Sequence, residues 1–405
     1  MQRAQLLVVL SGLGITFGTC LAGGTYVEIG AYVTPYAAST NGSVVAGYDS
    51  TSYFIYTDEG GYQSIGGLPP GNNVGGKPTL SGDGMRVSGT SQNSVTNFSE
   101  MSYYERATAT WVICGNLGSS SGTSTSSGWG MSQDGSTVVG LGWISAGSAH
   151  GCYWREGVGM TSLGSTVTGR STRANGTNAD GTVIVGWQDS ATGFRQGCQW
   201  VASAQTLISG PGGPMGEASG CSADGSFVVG NGVSSNSFQA WLWTAAGGVV
   251  NIGPPPVSGW RGSAVAISDD GQVVLGFYRP FAAPATYGRA FIWTAVDGMR
   301  DLTDLAIAQG ISIPTGTIIA LPLDISGDGS TVVGQSKNAS NVVNGFVLRF
   351  DTPTIPADLN DDGMVNGLDL ATLLSNWGGS GLGDIDQSGA VDGSDLTALL
   401  VAWTG

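Results

Sequence analysis

The stretch that recurs most often in this chain reads Ser132-Gln133-Asp134-Gly135-Ser136-Thr137-Val138-Val139-Gly140. We call this nine-residue pattern the turn motif. Asp-Gly between two apolar runs is a strong hairpin signal, because glycine tolerates positive φ and the aspartate side chain caps the turn. The valine-rich run after it predicts a β-strand. A turn needs no chemistry, so we interpret the recurring aspartates as turn formers rather than as ligands or catalysts.

The turn motif occurs seven times. Its copies are residues 39–47, 81–89, 132–140, 178–186, 222–230, 268–276 and 326–334. The intervals between successive copies lie between 42 and 51 residues, except for the last, which is 58. A period of this size indicates a repeat architecture.

Each repeat has a second half that carries two more strand signals. Ala290-Phe291-Ile292-Trp293-Thr294 is a β-rich run, Asp297-Gly298 turns the chain, and residues 299–302 begin another short strand. Each unit therefore holds four short strands: one before the turn motif, one within it, the tryptophan strand and a final strand. Four strands in about 45 residues is the size of a propeller blade.

The two ends of the repeat region indicate closure. The seventh unit has no final strand after residues 346–350, whereas Tyr26-Val27-Glu28-Ile29-Gly30 matches the final strands at 62–66 and 250–253. An N-terminal strand that completes the last blade removes the exposed sheet edges of an open array. We predict a mainly β fold, a seven-bladed β-propeller over residues 23–351. The alternative is a β-solenoid or an open sandwich array.

These units resemble the HAF-type extracellular repeats of bacterial secreted proteins. The signature of that family combines an S-x-D-G-x-x-V-V-G turn with an A-F-x-W-T strand. The turn motifs at 132–140, 222–230 and 326–334 and residues 290–294 match it in full, and the other turn motifs match it in part. The second repeat departs from it, because Ala109-Thr110-Trp111-Val112 lacks the phenylalanine. The resemblance implies a secreted or surface scaffold and no established reaction.

The last part of the chain carries one loop pattern twice. The first loop offers oxygens from Asp358, Asn360, Asp362, the carbonyl of Met364, Asn366 and Asp369. The second loop, 26 residues later, offers Asp384, Asp386, Ser388, the carbonyl of Ala390, Asp392 and Asp395. Alternate oxygens that close on a twelfth-position carboxylate are what calcium requires. The pattern predicts a module that holds two Ca²⁺ ions.

A helix pattern follows each loop. Leu370, Leu373, Leu374 and Trp377 fall at i, i+3, i+4 and i+7, and residues 396, 399, 400 and 403 repeat that spacing. We interpret most of each stripe as internal core, and the alternative is a partner-binding face. A module this small has a marginal core, so the metal is expected to supply folding energy.

Residues 358–405 resemble the duplicated calcium-loop and helix module called a dockerin, close to type I and EF-hand-like. That resemblance implies a non-catalytic module that binds a cohesin-like receptor protein. The chain departs from the family immediately before each twelfth-position aspartate. Gly367-Leu368 and Gly393-Ser394 stand there instead of a Ser/Thr-type pair. Attachment to another surface receptor therefore stays open.

The ends and the charge of the chain bear on where it acts. Arg3, an apolar run and a small residue at Ala22 predict a secretory signal peptide over residues 1–22, with a retained membrane anchor as the alternative. Residues 352–357 read as a proline-bearing linker. The formal net charge of −15 argues against nucleic-acid binding. We expect an exported bacterial protein, extracellular or on the cell surface, with no membrane span after the signal is removed.

Four cysteines follow the predicted signal. An exported chain permits disulfides, and Cys114, Cys152, Cys198 and Cys221 allow three complete pairings. Cys152 and Cys198, however, align with Trp241 and Phe291 of other repeats. Buried thiols are the first interpretation, and bridges are the alternative.

The sequence contains no evident catalytic set. His150 is the only histidine and reads as an exposed loop residue. A glycosidase needs only two carboxylates beside a cleft. Candidates outside the turn motifs are Glu28, Asp49, Asp58, Glu59, Glu100, Glu105, Glu156, Asp189 and Glu217. We predict a non-enzymatic scaffold or binding protein with a calcium-dependent docking tail. The alternative is a propeller glycoside hydrolase or carbohydrate-binding protein that acts in polysaccharide breakdown.

Overall fold

The computed structural model describes residues 23–71, 74–232, 239–351, 356–360 and 365–403. The chain divides into two compact units, of which one is Gly23–Asp351 and the other contains Thr352–Gly405. The predicted signal segment, residues 1–22, and most of the predicted linker, residues 352–355, lie outside the described residues. No helix in the described ranges is long and apolar enough to cross a membrane.

The larger unit is antiparallel β, with four paired strands for each turn motif. A single pairing of Asn231 with Ser263 joins the fifth and sixth of these groups into one eight-stranded sheet. Strand β1 (Gly24–Ala31) comes first and pairs with the last strand of the unit. The next three sheets are β2 (Thr34–Ala38), β3 (Val45–Tyr48), β4 (Tyr53–Thr57) and β5 (Gly61–Gly66); β6 (Thr79–Leu80), β7 (Arg86–Gln92), β8 (Ser99–Glu105) and β9 (Thr110–Gly115); and β10 (Ser126–Met131), β11 (Thr137–Ser145), β12 (Ser148–Arg155) and β13 (Gly159–Gly164).

The remaining sheets follow the same order. Two of them are β14 (Thr172–Thr177), β15 (Val183–Asp189), β16 (Arg195–Val201) and β17 (Ala204–Leu207); and, after a small hairpin of β18 (Ser209–Gly210) and β19 (Gly213–Pro214), β20 (Ala218–Cys221), β21 (Phe227–Asn231), β22 (Ala240–Thr244) and β23 (Gly248–Asn251). The others are β24 (Trp260–Ile267), β25 (Val274–Pro280), β26 (Arg289–Thr294) and β27 (Gly298–Asp301); and β28 (Ile318–Ile325), β29 (Thr331–Lys337) and β30 (Val343–Phe350), which β1 joins. A 3₁₀ turn, Ala285–Tyr287, precedes β26.

The N-terminal strand closes the unit, as the sequence predicts. β1 runs antiparallel to β30, with Thr25 opposite Arg349 and Val27 opposite Val347. Val45 of the first sheet packs with Val333 and Val347 of the last sheet in one buried cluster. The first and last sheets therefore share a hydrophobic core, and the strand pairing leaves neither edge of β30 open.

Backbone hydrogen bonds join the turn motifs into a ring. Each bond links neighbouring motifs, and the series is Thr40 N–H to Gly82 O, Gly82 N–H to Gln133 O, Asp134 N–H to Ala179 O, Ala179 N–H to Ala223 O, Ala223 N–H to Asp269 O, Asp269 N–H to Gly327 O and Asp328 N–H to Thr40 O. The series returns to its starting residue. The strands that precede the motifs, which we call the inner strands, therefore surround one central channel, and the fold is a β-propeller.

The side chains of the turn motif explain why it recurs. Ser132 Oγ donates to Asp134 Oδ1 at 2.5 Å, and the same oxygen accepts from Ser136 N at 2.9 Å. Thr137 N donates to Ser132 Oγ at 3.0 Å. Gly135 has a φ of 70°, which favours glycine. The serine and the aspartate thus satisfy the backbone of the turn.

The ninth residue of the motif is glycine for a steric reason. A β-bulge at Ser219 in the inner strand β20 brings the Glu217 carbonyl against Gly230, and Trp241 of the next strand lies directly opposite. A Cβ on Gly230 would collide with both groups. Cys152 and Cys198 occupy the position of Trp241 in their own sheets, opposite Gly140 and Gly186.

All four cysteines that follow residue 22 are free thiols in this structure. Cys114, Cys152 and Cys198 are buried, and Cys221 is half-buried. Their burial agrees with the interpretation that these residues fill space in the core.

One predicted strand is wrong in part. β27 ends at Asp301, and Leu302 begins helix α1 (Leu302–Ala308) instead of continuing the strand. Asp301 caps this helix, because its Oδ1 accepts from Thr303 N at 2.9 Å and from Asp304 N at 3.0 Å. The helix lies in the last interval between motifs, the 58-residue one, and so helps to explain its length.

The second unit contains two helices, α2 (Gly367–Ser375) and α3 (Gly393–Val401). Leu373 and Leu399 are fully buried and pack with Ala357, Val365 and Val391. This cluster is small, so the unit has little apolar burial to hold it together.

Candidate metal centre and central channel

Three carboxylates meet in the second loop of the C-terminal unit. Asp384, Asp386 and Asp395 each offer an oxygen, and these oxygens lie within 4.8 Å of one another. Calcium binds oxygen ligands at about 2.3–2.6 Å, so ligands around one ion lie at most about 5 Å apart. The spacing therefore suits a calcium-sized cation. Residues 356–405 contain eight aspartates and no lysine or arginine, so no side-chain cation in this segment balances the charge.

The start of α3 positions Asp395. Asp392 caps the helix by accepting from Ser394 N at 2.7 Å, and Asp395 Oδ2 accepts from Asp392 N at 2.8 Å. Asp395 Oδ1 accepts from Ile385 N at 2.7 Å and from Asp386 N at 3.0 Å. These backbone amides, that of Asp392 first, hold the pKa of Asp395 below its ordinary value. The twelfth-position carboxylate is thus fixed and ionised.

Among the other predicted ligands of the second loop, Asp384 is half-buried, and Asp386, Ser388, Ala390 and Asp392 are exposed. Asp384 Oδ1 and Asp386 Oδ1 both accept from Ser388 N, at 2.9 and 3.0 Å. Ser388 Oγ donates to the carbonyl of Ala390 at 3.3 Å. A carboxylate has about four lone-pair positions, so these bonds leave capacity for a metal.

The first loop repeats the same closing contacts. Asp369 Oδ1 accepts from Leu359 N at 2.8 Å and from Asn360 N at 3.3 Å, and Asp369 Oδ2 accepts from Asn366 N at 2.8 Å. Asp369 is fully buried, as is Asp395. The predicted ligands Asp362 and Met364 lie outside the described residues. Each loop therefore closes in the same way on its last aspartate.

Only part of each predicted helix stripe is core. Leu373 and Leu399 are buried, and Leu370 and Leu396 pack against them. Leu374 and Leu400, however, are 52% and 54% exposed. The tryptophans that end the stripes, Trp377 and Trp403, follow the helices and are 49% and 38% exposed. The stripes therefore divide into a buried half and an exposed apolar half.

The propeller encloses a cavity along its axis. Residues from all the inner strands, β2, β6, β10, β14, β20, β24 and β28, line it, and its volume is about 150 Å³. At the end formed by the turn motifs, Gln133 Nε2 donates to Asp269 Oδ1 at 2.5 Å, which joins two distant motifs across the axis. This bond narrows the channel at that end.

The channel contains two ionisable groups whose pKa values burial shifts in opposite directions. Burial lowers the pKa of Lys77 to about 8, although the charge of Asp324 favours the protonated amine. Burial raises the pKa of Asp324 to about 7, against the effects of the Ala38 amide and of Lys77. Ala38 N donates to Asp324 Oδ2 at 3.0 Å. Near neutral pH these two groups are therefore close to titration.

A cluster of charges and indoles lies further from the turn motifs. Arg173 stacks on Trp129 with 3.8 Å between its guanidinium carbon and the ring centroid. Its Nη2 lies 3.2 Å from Glu217 Oε2, and Arg195 Nη1 lies 2.5 Å from Glu217 Oε1. Arg195 in turn stacks on Trp187. Each carboxylate oxygen of Glu217 therefore forms an ion pair with a different guanidinium group.

Several other carboxylates considered from sequence also have structural partners. Glu105 pairs with Arg86 at 2.9 Å, Asp58 pairs with Arg349 at 3.2 Å, and Asp49 accepts from Tyr62 at 2.5 Å. These two ion pairs and this hydrogen bond give Glu105, Asp58 and Asp49 a structural role.

The expectation for His150 is wrong. This residue is half-buried inside strand β12 rather than exposed on a loop, and its Nδ1 lies 2.9 Å from Ser162 Oγ.

The sequence analysis missed the polar residues of the channel, Lys77, Tyr36 and Asp324. A signal for Asp324 exists, since it stands two residues before a turn motif, where other copies have Ala37, Gly130 or Gly220. The other copies have a small residue at this position, so a charged side chain at Asp324 is unusual.

Comparison with known proteins supports the propeller. No protein-family model matches the sequence, and no curated protein matches it. The β-propeller domain of the Trilobed protease from Pyrococcus furiosus is similar in structure, with a TM-score of 0.53 at 11% identity, over 81% of this chain and 97% of that one. TolB from Acinetobacter baumannii gives a TM-score of 0.42 at 11% identity, over 80% of this chain and 64% of that one.

Proposed function

We propose that this chain is an exported, non-enzymatic scaffold or binding protein that a calcium-dependent C-terminal module attaches to a receptor. The observation that carries the proposal is the meeting of Asp384, Asp386 and Asp395 within 4.8 Å in a segment without basic side chains. Clustered carboxylates repel one another, and a divalent cation removes that repulsion. The resemblance of residues 358–405 to dockerins supports the docking role.

The propeller is proposed to have seven blades. Seven turn motifs, four paired strands for each, and the pairing of β1 with β30 support this number. A closed propeller presents its loops on a rigid frame, which suits a scaffold. The signal-like residues 1–22 support export to the cell surface or the extracellular medium of a bacterium.

In each loop the proposed ligands surround one Ca²⁺. They are Asp358, Asn360, Asp362, the Met364 carbonyl, Asn366 and Asp369 in the first loop, and Asp384, Asp386, Ser388, the Ala390 carbonyl, Asp392 and Asp395 in the second. The described core of this unit is small, so ion binding would contribute directly to its folding free energy.

The exposed half of each helix stripe is the proposed receptor contact. Leu374, Trp377, Leu400 and Trp403 leave an apolar surface that the unit itself does not cover. Surfaces of this kind bind partners more often than isolated apolar residues do. The receptor is a cohesin-like protein or another surface receptor.

Calorimetric titration of the full chain with Ca²⁺ tests the proposal. We expect two ions for each chain, and one ion when Asp395→Ala or Asp369→Ala removes a closing carboxylate. Asp304→Asn, which changes an exposed aspartate of the propeller, is the matched control and should still bind two. Wild-type chain that binds no calcium would refute the docking mechanism.

One observation favours the alternative of a propeller glycoside hydrolase. Asp324, with its raised pKa, has the property of a general acid, and Asp269 is a second carboxylate of the same channel. Asp269, however, is engaged by Gln133. Turnover of a polysaccharide that Asp324→Asn abolishes would establish the alternative, and a panel without turnover would favour the scaffold.

A further inference from the structure

Lys77 is one of only two lysines in the chain, and it lies in the central channel. Its ammonium lies 5.2 Å from the centroid of the Tyr36 ring. Within the described ranges the ammonium makes no hydrogen bond and no ion pair, and only the backbone amide of Lys77 donates, to the Gly128 carbonyl at 2.9 Å. The charge of Asp324 favours the protonated amine, but among the described residues no carboxylate contacts the ammonium, so its donors are available to an anion from outside the chain.

Two further polar groups face the same cavity. The Tyr36 hydroxyl has no hydrogen-bond partner among the residues that the structure describes, and Asp324 accepts from the Ala38 amide at 3.0 Å with lone pairs to spare. Tyr36 occupies the β-bulge of its inner strand, between Pro35 and Ala37. A bulge re-aims a side chain, and here it brings the tyrosine to the channel.

The neighbouring arginines are already occupied, in contrast to Lys77. Arg173 Nε donates to Asn175 Oδ1 at 2.7 Å, and its other contacts are Glu217 and the face of Trp129. Glu217 also binds Arg195. The two arginines are therefore held by Glu217, Asn175 and Trp129, and they add positive charge near Lys77 without contacting its ammonium.

The arrangement defines the chemistry of a ligand. An ammonium recognises a carboxylate, and the carboxyl group of Asp324 and the hydroxyl of Tyr36 recognise hydroxyl groups. The cavity of about 150 Å³ is the size that, in another protein, admits benzene, so it takes one ring and no long chain.

We propose that the central channel binds a hydroxy-carboxylate of about one sugar ring in size, a uronic acid, with its carboxylate on Lys77 and its hydroxyl groups on Tyr36 and Asp324. The proposal concerns the propeller alone. It stands or falls independently of calcium binding by the C-terminal unit.

Calorimetric titration of the full chain with D-galacturonate and D-glucuronate tests this site. D-Galactose is the matched neutral probe, because it keeps the ring and lacks the carboxylate. Acetate is the second control, because it keeps the carboxylate and lacks the ring. We expect at least one uronate to bind, and both controls to bind at least about tenfold more weakly. Galactose loses the hydrogen bond to the charged ammonium, and acetate loses the hydrogen bonds of the hydroxyl groups to Tyr36 and Asp324.

Variants then place the site. Lys77→Met keeps the aliphatic stem and should weaken uronate binding at least about tenfold. Lys337→Met changes the other lysine, which lies 4.3 Å from the Tyr287 ring centroid, and should leave binding unchanged. Tyr36→Phe removes only a hydroxyl and should weaken binding by a smaller factor, which provides a second test if Lys77→Met does not fold. Absence of binding by either uronate, equal binding of galactose, or full binding by a folded Lys77→Met chain would overturn the proposal.

Discussion

Replacing Asp324 with asparagine should stabilise the propeller at alkaline pH and hardly change it in acid. Asparagine has nearly the same shape, and its carbonyl oxygen can still accept from Ala38 N, so the substitution removes mainly the charge. In the folded chain burial raises the pKa of Asp324 from 3.8 to about 7. In the unfolded chain the carboxyl titrates near 4.

The sign follows from proton linkage. Below pH 4 both states hold the proton, and Asp324 costs nothing. Between pH 4 and 7 the unfolded state releases the proton first, so unfolding becomes easier, and above pH 7 the whole cost applies. A difference of about 3 in pKa corresponds to about 4 kcal/mol, as an upper bound.

One feature of the site lowers that figure, because the variant deprives Lys77 of the favourable charge of Asp324. We therefore expect a gain of about 2 kcal/mol in unfolding free energy at pH 8 and almost none at pH 4.

Denaturant unfolding of both proteins at pH 4, 6 and 8 measures this difference. All other carboxylates, including those of the C-terminal unit, titrate alike in both proteins. Their contributions therefore cancel in the difference between the two unfolding free energies. The charged groups that act on Asp324 are Lys77 and Asp269, and both remain in the variant. A difference that does not change with pH, or a variant that is less stable than the wild type at pH 8, would refute the reasoning.

Three further predictions concern the propeller. Gly276→Ala should destabilise it by about 3 kcal/mol, because a Cβ there would collide with Phe291 and the Ser263 carbonyl, whereas Gly147→Ala, which meets nothing within 4 Å, should be nearly neutral in the same thermal or denaturant assay. Glu217→Gln should cost about 2 kcal/mol, because it leaves two guanidinium groups without their carboxylate, while Asp58→Asn, at an exposed ion pair, should cost less than about 0.5 kcal/mol. Native chain should react slowly with a thiol reagent at Cys114, Cys152 and Cys198, since burial raises the pKa of each thiol, and fast labelling before unfolding would contradict that burial.

Much of the propeller could be predicted from sequence, because its signal is local and repeated. Six turn motifs have an Asp-Gly pair and the first has Asn41-Gly42; this pair sets the hairpin by φ and side-chain capping, and seven copies define a period. The closing strand β1 was predictable because it resembles the final strands of other repeats. The cysteines opposite Gly140 and Gly186 followed from the same alignment.

The sequence does not show which residues of distant repeats lie close together across the channel. Tyr36 and Asp324 belong to different sheets, Lys77 precedes strand β6 of another, and only closure of the ring brings them to one cavity. The turn-motif residues Gln133 and Asp269 are 136 positions apart, and their hydrogen bond has no counterpart in the repeat pattern. Helix α1 was missed for a different reason, since the strand pattern before it hid the capping role of Asp301.

The helix stripes of the C-terminal unit show the limit of periodicity. Spacing at i, i+3, i+4 and i+7 places Leu370, Leu373, Leu374 and Trp377 together, but two short helices have too little partner surface to cover all of them. The calcium ligands are predicted by type and order, and the structure brings three of them, Asp384, Asp386 and Asp395, together.

Hydrogen exchange of the full chain, measured by mass spectrometry with calcium and then with a chelator, shows whether calcium organises the C-terminal unit. We predict that amides in α2 and α3 lose protection when calcium is withdrawn, that magnesium restores this protection poorly, and that the protection of Gly23–Asp351 does not change. Equal protection of both helices with and without calcium would contradict it.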